Sequence, residues 1–203
     1  YVYSYRSRIC PITQSFCCCF RGAGCCGRFG CTTCRRAKRK LNLVAIDTST
    51  RFAGVGVLKS GDDGEIRTKS SWRSNQNHGR ELMPAIVESL RELELDPKDL
   101  THVAVALGPG RFSAVRVGIS AALGLVVSKQ LPVLGIPTHE IEAHPYMAEV
   151  TETAPLYSLI PAGRNEISWS RSAPSHKADI GVLAPENLVY QLESGAILCG
   201  EAC

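Results

Sequence analysis

The chain of 203 residues is 44% hydrophobic and 21% charged, which is enough apolar material for a real core and excludes an intrinsically disordered protein. Its net charge of +4 is uneven: residues 1–40 hold nine Lys or Arg and no acid, leaving 14 basic against 19 acidic residues in 41–203, a net −5. No apolar run approaches the ~20 residues of a membrane-spanning helix, Leu123–Val127 being far too short, so no membrane role is expected.

Eight of the ten cysteines lie between Cys10 and Cys34, in Cys17-Cys18-Cys19, Cys25-Cys26 and Cys31-Thr-Thr-Cys34. Adjacent cysteines cannot all point at one tetrahedral metal, and no second CxxC or His pair follows at ligand spacing. A secretory signal is not expected either, because no uninterrupted apolar core precedes a small-residue cleavage site. Residues 1–40 therefore read as a Cys/Arg-rich segment that is disordered or no part of the folded protein. A nucleic-acid-binding tail through Arg35–Lys40 and a metal site remain the alternatives. The cysteine-poor remainder reads as a protein of a reducing compartment, the cytoplasm.

From Leu41 the pattern becomes regular. Leu41–Ile46 and Ala53–Leu58 are predicted strands joined by the hydroxyl-rich tip Asp47-Thr-Ser-Thr50, and Gly61-Asp-Asp-Gly64 turns into a third strand, Glu65–Trp72. A helix is predicted over 79–94 with Leu82, Ile86, Leu90 and Leu93 at helical spacing, and Met83 and Val87 widen its apolar surface. Pro84 is tolerated there because it lies near the first turn. His102–Leu107 is a short, apolar, β-branched strand. It runs into Gly108-Pro109-Gly110, where glycines permit backbone conformations closed to other residues and bring main-chain amides close to a ligand or a neighbouring subunit. The helix that follows carries two stripes of small residues, Ala114/Gly118/Ala122 and Ser120/Gly124/Ser128. One is expected to pack on its own sheet, and the other is free to face a partner. A strand at Pro132–Gly135 completes a βββαβαβ order. Beyond it the pattern predicts a helix over 138–150, strands at Leu156–Pro161 and Glu166–Arg171, a helix over 186–193 and a strand at Ala196–Cys199.

Four segments occur in order: LVAIDTST (43–50), NHGRELMP (77–84), LGPGRFSAVRVG (107–118) and LPVLGI (131–136). Together they closely resemble the TsaB (YeaZ) family, over about residues 41 to 150. The resemblance implies an α/β fold of the actin/Hsp70/sugar-kinase-like (ASKHA) class, with residues 41–150 as the N-terminal lobe and 151–203 as a partial second lobe. It further implies a cytoplasmic, non-catalytic scaffold in synthesis of N6-threonylcarbamoyladenosine at tRNA position 37. Such a scaffold pairs with the catalytic subunit TsaD, is joined by the ATPase TsaE, meets tRNA indirectly, and forms a homodimer when TsaD is absent.

Under that resemblance no catalytic residue, cofactor or metal is expected. His78, Arg80, Met83, Val87, Leu90, Arg116, Ser120 and Gly124 become candidate partner-binding residues, with Met83, Val87, Leu90 and Val126 as the apolar centre. Asp47, Thr48, Ser49, Gly108 and Gly110 become a vestigial phosphate site. Hydroxyls and amides in that position bind phosphate oxygens in kinases of the class, and a retained structural turn is the reading favoured here. His139 and His144 stand where TsaD has an H-x3-H metal pair. The H-x4-H spacing turns them about 140° apart on a helix, and His139 replaces an apolar residue usual in the family. Arg111, Ser113 and Ala114 also depart from its usual Ser, Thr and Gly, and Pro161-Ala-Gly-Arg164 departs from its Asp-Ala-Arg segment. The competing classes are an ATP-dependent enzyme of the same fold and a glycoprotease-like peptidase. The first lacks an evident adenosine pocket and the second a nucleophile–base or metal pair.

Overall fold

The computed structural model describes residues 40–61, 64–75, 77–163 and 165–203; the cysteine-rich segment lies outside them. Strands β1 (Leu41–Asp47) and β2 (Phe52–Gly61) form an antiparallel hairpin with Leu43 opposite Leu58, and β3 (Gly64–Arg73) pairs with β2. Helix α1 (His78–Glu92) leads to β4 (His102–Ala106), which lies parallel to β1. Helix α2 (Phe112–Val127) then returns the chain to β5 (Val133–Ile136), parallel to β4. The five strands are ordered β3-β2-β1-β4-β5, so the βββαβαβ order read from the sequence is the one observed.

Period-2 burial places Asn42, Val44 and Ile46 of β1 on one face. There Val44, Ile46, Val55, Val57, Val103 and Val105 pack against Leu82, Ile86, Leu90 and Leu93 of α1 and Ala122 and Val126 of α2. Each such fully buried aliphatic side chain stabilises the fold by roughly 1.5–3 kcal/mol relative to exposure. Asn42 sits in this core because its amide nitrogen donates to the Asp99 carbonyl (2.8 Å) and its backbone is held by Thr101 on both sides. Pro84 lies inside α1, one turn further from the start than a first-turn proline, so the helix lacks one N–H there.

A second sheet has the order β8-β7-β6-β9, built from β6 (Leu156–Pro161), β7 (Ile167–Ala173), β8 (His176–Leu183) and β9 (Ile197–Cys199). Three expectations are corrected in this region. Helix α3 spans only Thr138–Ala143 and tightens into a 3-10 turn at His144–Tyr146, because Pro145 cannot donate to an α-helical ladder. The helix expected over 186–193 is a single turn, α4 (Pro185–Leu188). Strand β8 was not expected at all: Ile180 and Val182 sit on an open edge and are more than half exposed, so no buried alternation advertises it.

Candidate functional site

The hairpin tip and the Gly-Pro-Gly turn lock together. Asp47 Oδ1 accepts hydrogen bonds from the Ser49 amide (2.9 Å) and Ser49 Oγ (2.6 Å), closing an Asx-type turn. Thr48 Oγ1 donates to the Ala114 carbonyl at 2.7 Å, tying the tip to the first turn of α2. Thr48 and Ser49 are both buried. The Ser49 carbonyl accepts from the Arg111 amide (3.2 Å), and the Gly108 carbonyl accepts from Thr138 at the start of α3 (2.8 Å). Gly108 has φ +94°, and a Cβ on Gly110 would overlap the Ser49 carbonyl, which is why glycine occupies both places. The Gly108–Pro109 peptide is cis. The structure thus brings the five candidate phosphate residues together, with the Ser49 hydroxyl committed to Asp47 within the turn and the Thr48 hydroxyl to the Ala114 carbonyl of α2.

Carboxylates gather beside this turn. Glu201 accepts from the Arg51 amide (3.0 Å) and pairs with its guanidinium (2.7 Å), linking the hairpin tip to the chain that follows β9. Glu142 on α3 is half-buried, and its carboxyl is held above the ordinary range by desolvation first, then by the charges of Asp47 and Glu201. Among the described residues no cluster of three or more His, Cys, Asp or Glu could hold a metal ion. His139 and His144 do not converge. His139 is buried, with Nδ1 hydrogen-bonded to Ser158 Oγ (3.0 Å) and Nε2 to Ser168 Oγ (2.9 Å), so it staples α3 to β6 and β7. Burial lowers its pKa, favouring the neutral imidazole. Sequence reasoning missed this role, because the two serine partners come from strands 19 and 29 residues away.

The outer faces of α1 and α2 carry the other candidates. Arg80, Met83 (45% exposed) and Val87 (48%) project from α1; Arg116, Ser120 and Gly124 are exposed on α2, beside Leu123 (52%) and Val127 (77%). Ala114, Gly118 and Ala122 form the buried stripe of α2, so Ser120/Gly124/Ser128 is the stripe left open. Between the helices runs a mainly apolar groove of about 540 Å³ lined by Gly79, Leu82, Met83, Arg116, Val117 and Ser120. Leu90 and Val126 are core residues, with Leu90 on the inward stripe that starts at Leu82, and His78 is buried at the start of α1. These three are not on the open surface where the sequence reading put them. Phe112 was missed: it is largely exposed at the start of α2, with the Arg116 guanidinium 5.2 Å from its ring centre.

A mixed sheet with two helices on one face and a second sheet following it defines the actin/Hsp70/sugar-kinase-like class of α/β proteins. The protein-family model described as TsaD, tRNA N6-adenosine threonylcarbamoyltransferase, matches residues 73–183. The tRNA threonylcarbamoyladenosine biosynthesis protein TsaB of Haemophilus influenzae is 29% identical over 170 residues, covering 77% of this chain and 70% of that protein. TsaB of Bacillus subtilis is 31% identical over 100 residues, covering 49% of this chain, so the match spans only 42% of that relative's length. A tRNA N6-adenosine threonylcarbamoyltransferase of Enterococcus faecalis is 29% identical over 141 residues, covering 62% of this chain and 40% of the relative. Among solved structures, YeaZ from Pseudomonas aeruginosa superposes with a TM-score of 0.67 at 24% identity, over 79% of this chain and 76% of that one. Another solved structure, of a protein with similarity to peptidase YEAZ from Pseudomonas aeruginosa, gives 0.63 at 26%, over 72% and 68%. The chain belongs to the TsaB (YeaZ) family. None of the described helices is long and apolar enough to cross a membrane.

Proposed function

We propose that this protein serves tRNA threonylcarbamoyladenosine biosynthesis as a non-catalytic scaffold subunit that docks a TsaD-like catalytic subunit on the outer face of α1 and α2. The observation that carries the reading is the exposed apolar strip of Met83, Val87, Leu123 and Val127 flanking the groove between the two helices. Clustered apolar side chains ringed by polar ones are what an interface core requires. Arg80, Arg116 and Ser120 supply the polar edge, and the bare backbone at Gly124 lets a partner helix come close. The hairpin tip supports the same reading, since the Thr48 hydroxyl donates to the Ala114 carbonyl of α2 and the Ser49 hydroxyl to Asp47, bonds that tie α2 to the sheet.

In this reading residues 41–150 form the docking lobe and residues 151–203 belong to a second lobe. The protein acts in the cytoplasm, a TsaE-like ATPase joins the assembly, and tRNA is met through the partner. A homodimer would use the same helical face, so the two pairings compete. Copurification of the TsaD-like subunit with a Met83→Asp/Val87→Asp variant tests the reading, because an aspartate buried in an interface without a partner is strongly disfavoured. Loss of the partner with the variant's circular dichroism unchanged supports it; undiminished copurification refutes it.

A further inference from the structure

We propose that the cavity between the N-termini of α1 and α2 is a binding site for a phosphate group, gripped by Arg111, by the free amides of the two helices and by His78. This goes beyond the docking reading, since it concerns a small anion held at the helix N-termini, where the cavity adjoins the docking groove at Gly79, Ser113 and Val117. The cavity, of about 800 Å³, is lined by His78 and Gly79 from α1, by Gly110, Arg111, Phe112 and Ser113 around the start of α2, and by the turn after β6. Helices of 15 and 16 residues both begin at it, and neither has a side-chain cap. Arg80, Glu81 and Val115 already donate to the carbonyls of Asn77 and Arg111, but the opening amides of His78 and Gly79 on α1 and of Phe112 and Ser113 on α2 have no acceptor among the described residues, the arrangement that favours an oxyanion.

Two further features point to a ligand. His78 is 4% exposed and lines the cavity, yet its Nε2 has no hydrogen-bond partner among the described residues. A buried, unsatisfied ring nitrogen destabilises the fold, and an acceptor oxygen in the cavity would remove that cost once the nitrogen carries its proton. Arg111 forms no ion pair among the described residues and also lines the adjoining cleft, where Arg51, Arg73 and Asn75 meet. Three acids of the surrounding elements are engaged elsewhere: Glu81 accepts from Trp72 Nε1 (2.8 Å), Glu201 is held by Arg51, and Asp47 accepts from Ser49. The planar guanidinium of Arg111, an N–H from His78 and several amides converging from two helices suit the several oxygens of a phosphate better than the two of a carboxylate.

The test is a titration of the full chain with inorganic phosphate, with sodium acetate as the carboxylate control, read by NMR from the His78 imidazole resonance. That resonance is assigned by its loss in His78→Gln. The expected result is a saturable shift with phosphate, at least tenfold tighter than with acetate, and weakened about tenfold in Arg111→Ala, the size of one lost charge-assisted hydrogen bond. Parallel arms with ADP and with a short single-stranded RNA identify whether the phosphate belongs to a nucleotide or to a strand. Arg111→Ala alters an exposed side chain, so it keeps the test decisive if His78→Gln does not fold, with phosphate affinity then read by calorimetry. No saturable binding of phosphate, binding insensitive to Arg111→Ala, or equal binding of acetate would overturn the proposal. RNA binding unaffected by Arg111→Ala, which the basic residues 1–40 could produce alone, would overturn the strand arm.

Discussion

Gly118 is where the packing of α2 against the hairpin tip can be measured. A Cβ on Gly118 would lie 2.5 Å from Thr48 Oγ1 and 3.6 Å from Ile46 Cγ2. The threonine hydroxyl has nowhere to retreat, since it is buried and bonded to the Ala114 carbonyl one turn before Gly118. Gly118→Ala must either push α2 outward, an overpacking cost of about 1–3 kcal/mol, or rotate Thr48 and lose a buried hydrogen bond worth about 1–3 kcal/mol. Better helix propensity returns about 1 kcal/mol, so the net expectation is a loss of up to about 2 kcal/mol. Thr48→Ala alone should cost about 1 kcal/mol, because the Ala114 carbonyl keeps its helical acceptor role. In the Thr48→Ala background the offending oxygen is gone, and Gly118→Ala should become neutral or stabilising by up to about 1 kcal/mol. Urea unfolding of the four proteins closes the cycle. If Gly118→Ala cost the same with and without the Thr48 hydroxyl, the hairpin would not be what dictates a glycine there.

His139 makes stability depend on pH with a defined sign. Its folded pKa is lowered by burial, so the unfolded chain binds the proton more readily; stability is complete above the ordinary histidine pKa of about 6.5 and falls as pH drops below it. Denaturant midpoints between pH 7.5 and 5.5 should therefore fall more steeply for the natural protein than for His139→Gln, and equal slopes would contradict the assignment. Cys199 is buried, and desolvation pushes its thiol up to about 11, whereas Cys203 is exposed. Brief iodoacetamide treatment of the native protein at pH 8, followed by peptide mass spectrometry, should label Cys203 and spare Cys199; labelling of both at similar rates would show that β9 opens readily.

The first sheet was legible because each of its elements advertises itself locally. Leu41–Ile46 is a short apolar run, Leu82/Ile86/Leu90/Leu93 repeats at helical spacing, and Gly108-Pro-Gly110 marks the turn that follows β4. The assignment of faces was harder. Met83 and Val87 lie one residue from Leu82 and Ile86, and only the packed sheet shows that Leu90 follows the inward row while its neighbours stay outside. His78 could not be placed, because a polar residue at a helix start looks the same to the sequence whether solvated or enclosed. The second sheet was harder still. Its open edge strand β8 is held to β7 by backbone pairing, with a shift of register between Arg171 and Ala173, and such pairing leaves little trace in side-chain type.

Calorimetric titration of a purified TsaD-like subunit with this chain tests the scaffold reading most directly. Met83→Asp/Val87→Asp is compared with Ile180→Asp, a control on the exposed edge strand of the second sheet. The account predicts that the helical variant weakens binding by at least tenfold, about 1.4 kcal/mol or more, while the edge-strand variant binds like the natural protein. Unchanged affinity for the helical variant, or equal weakening by both, would contradict it.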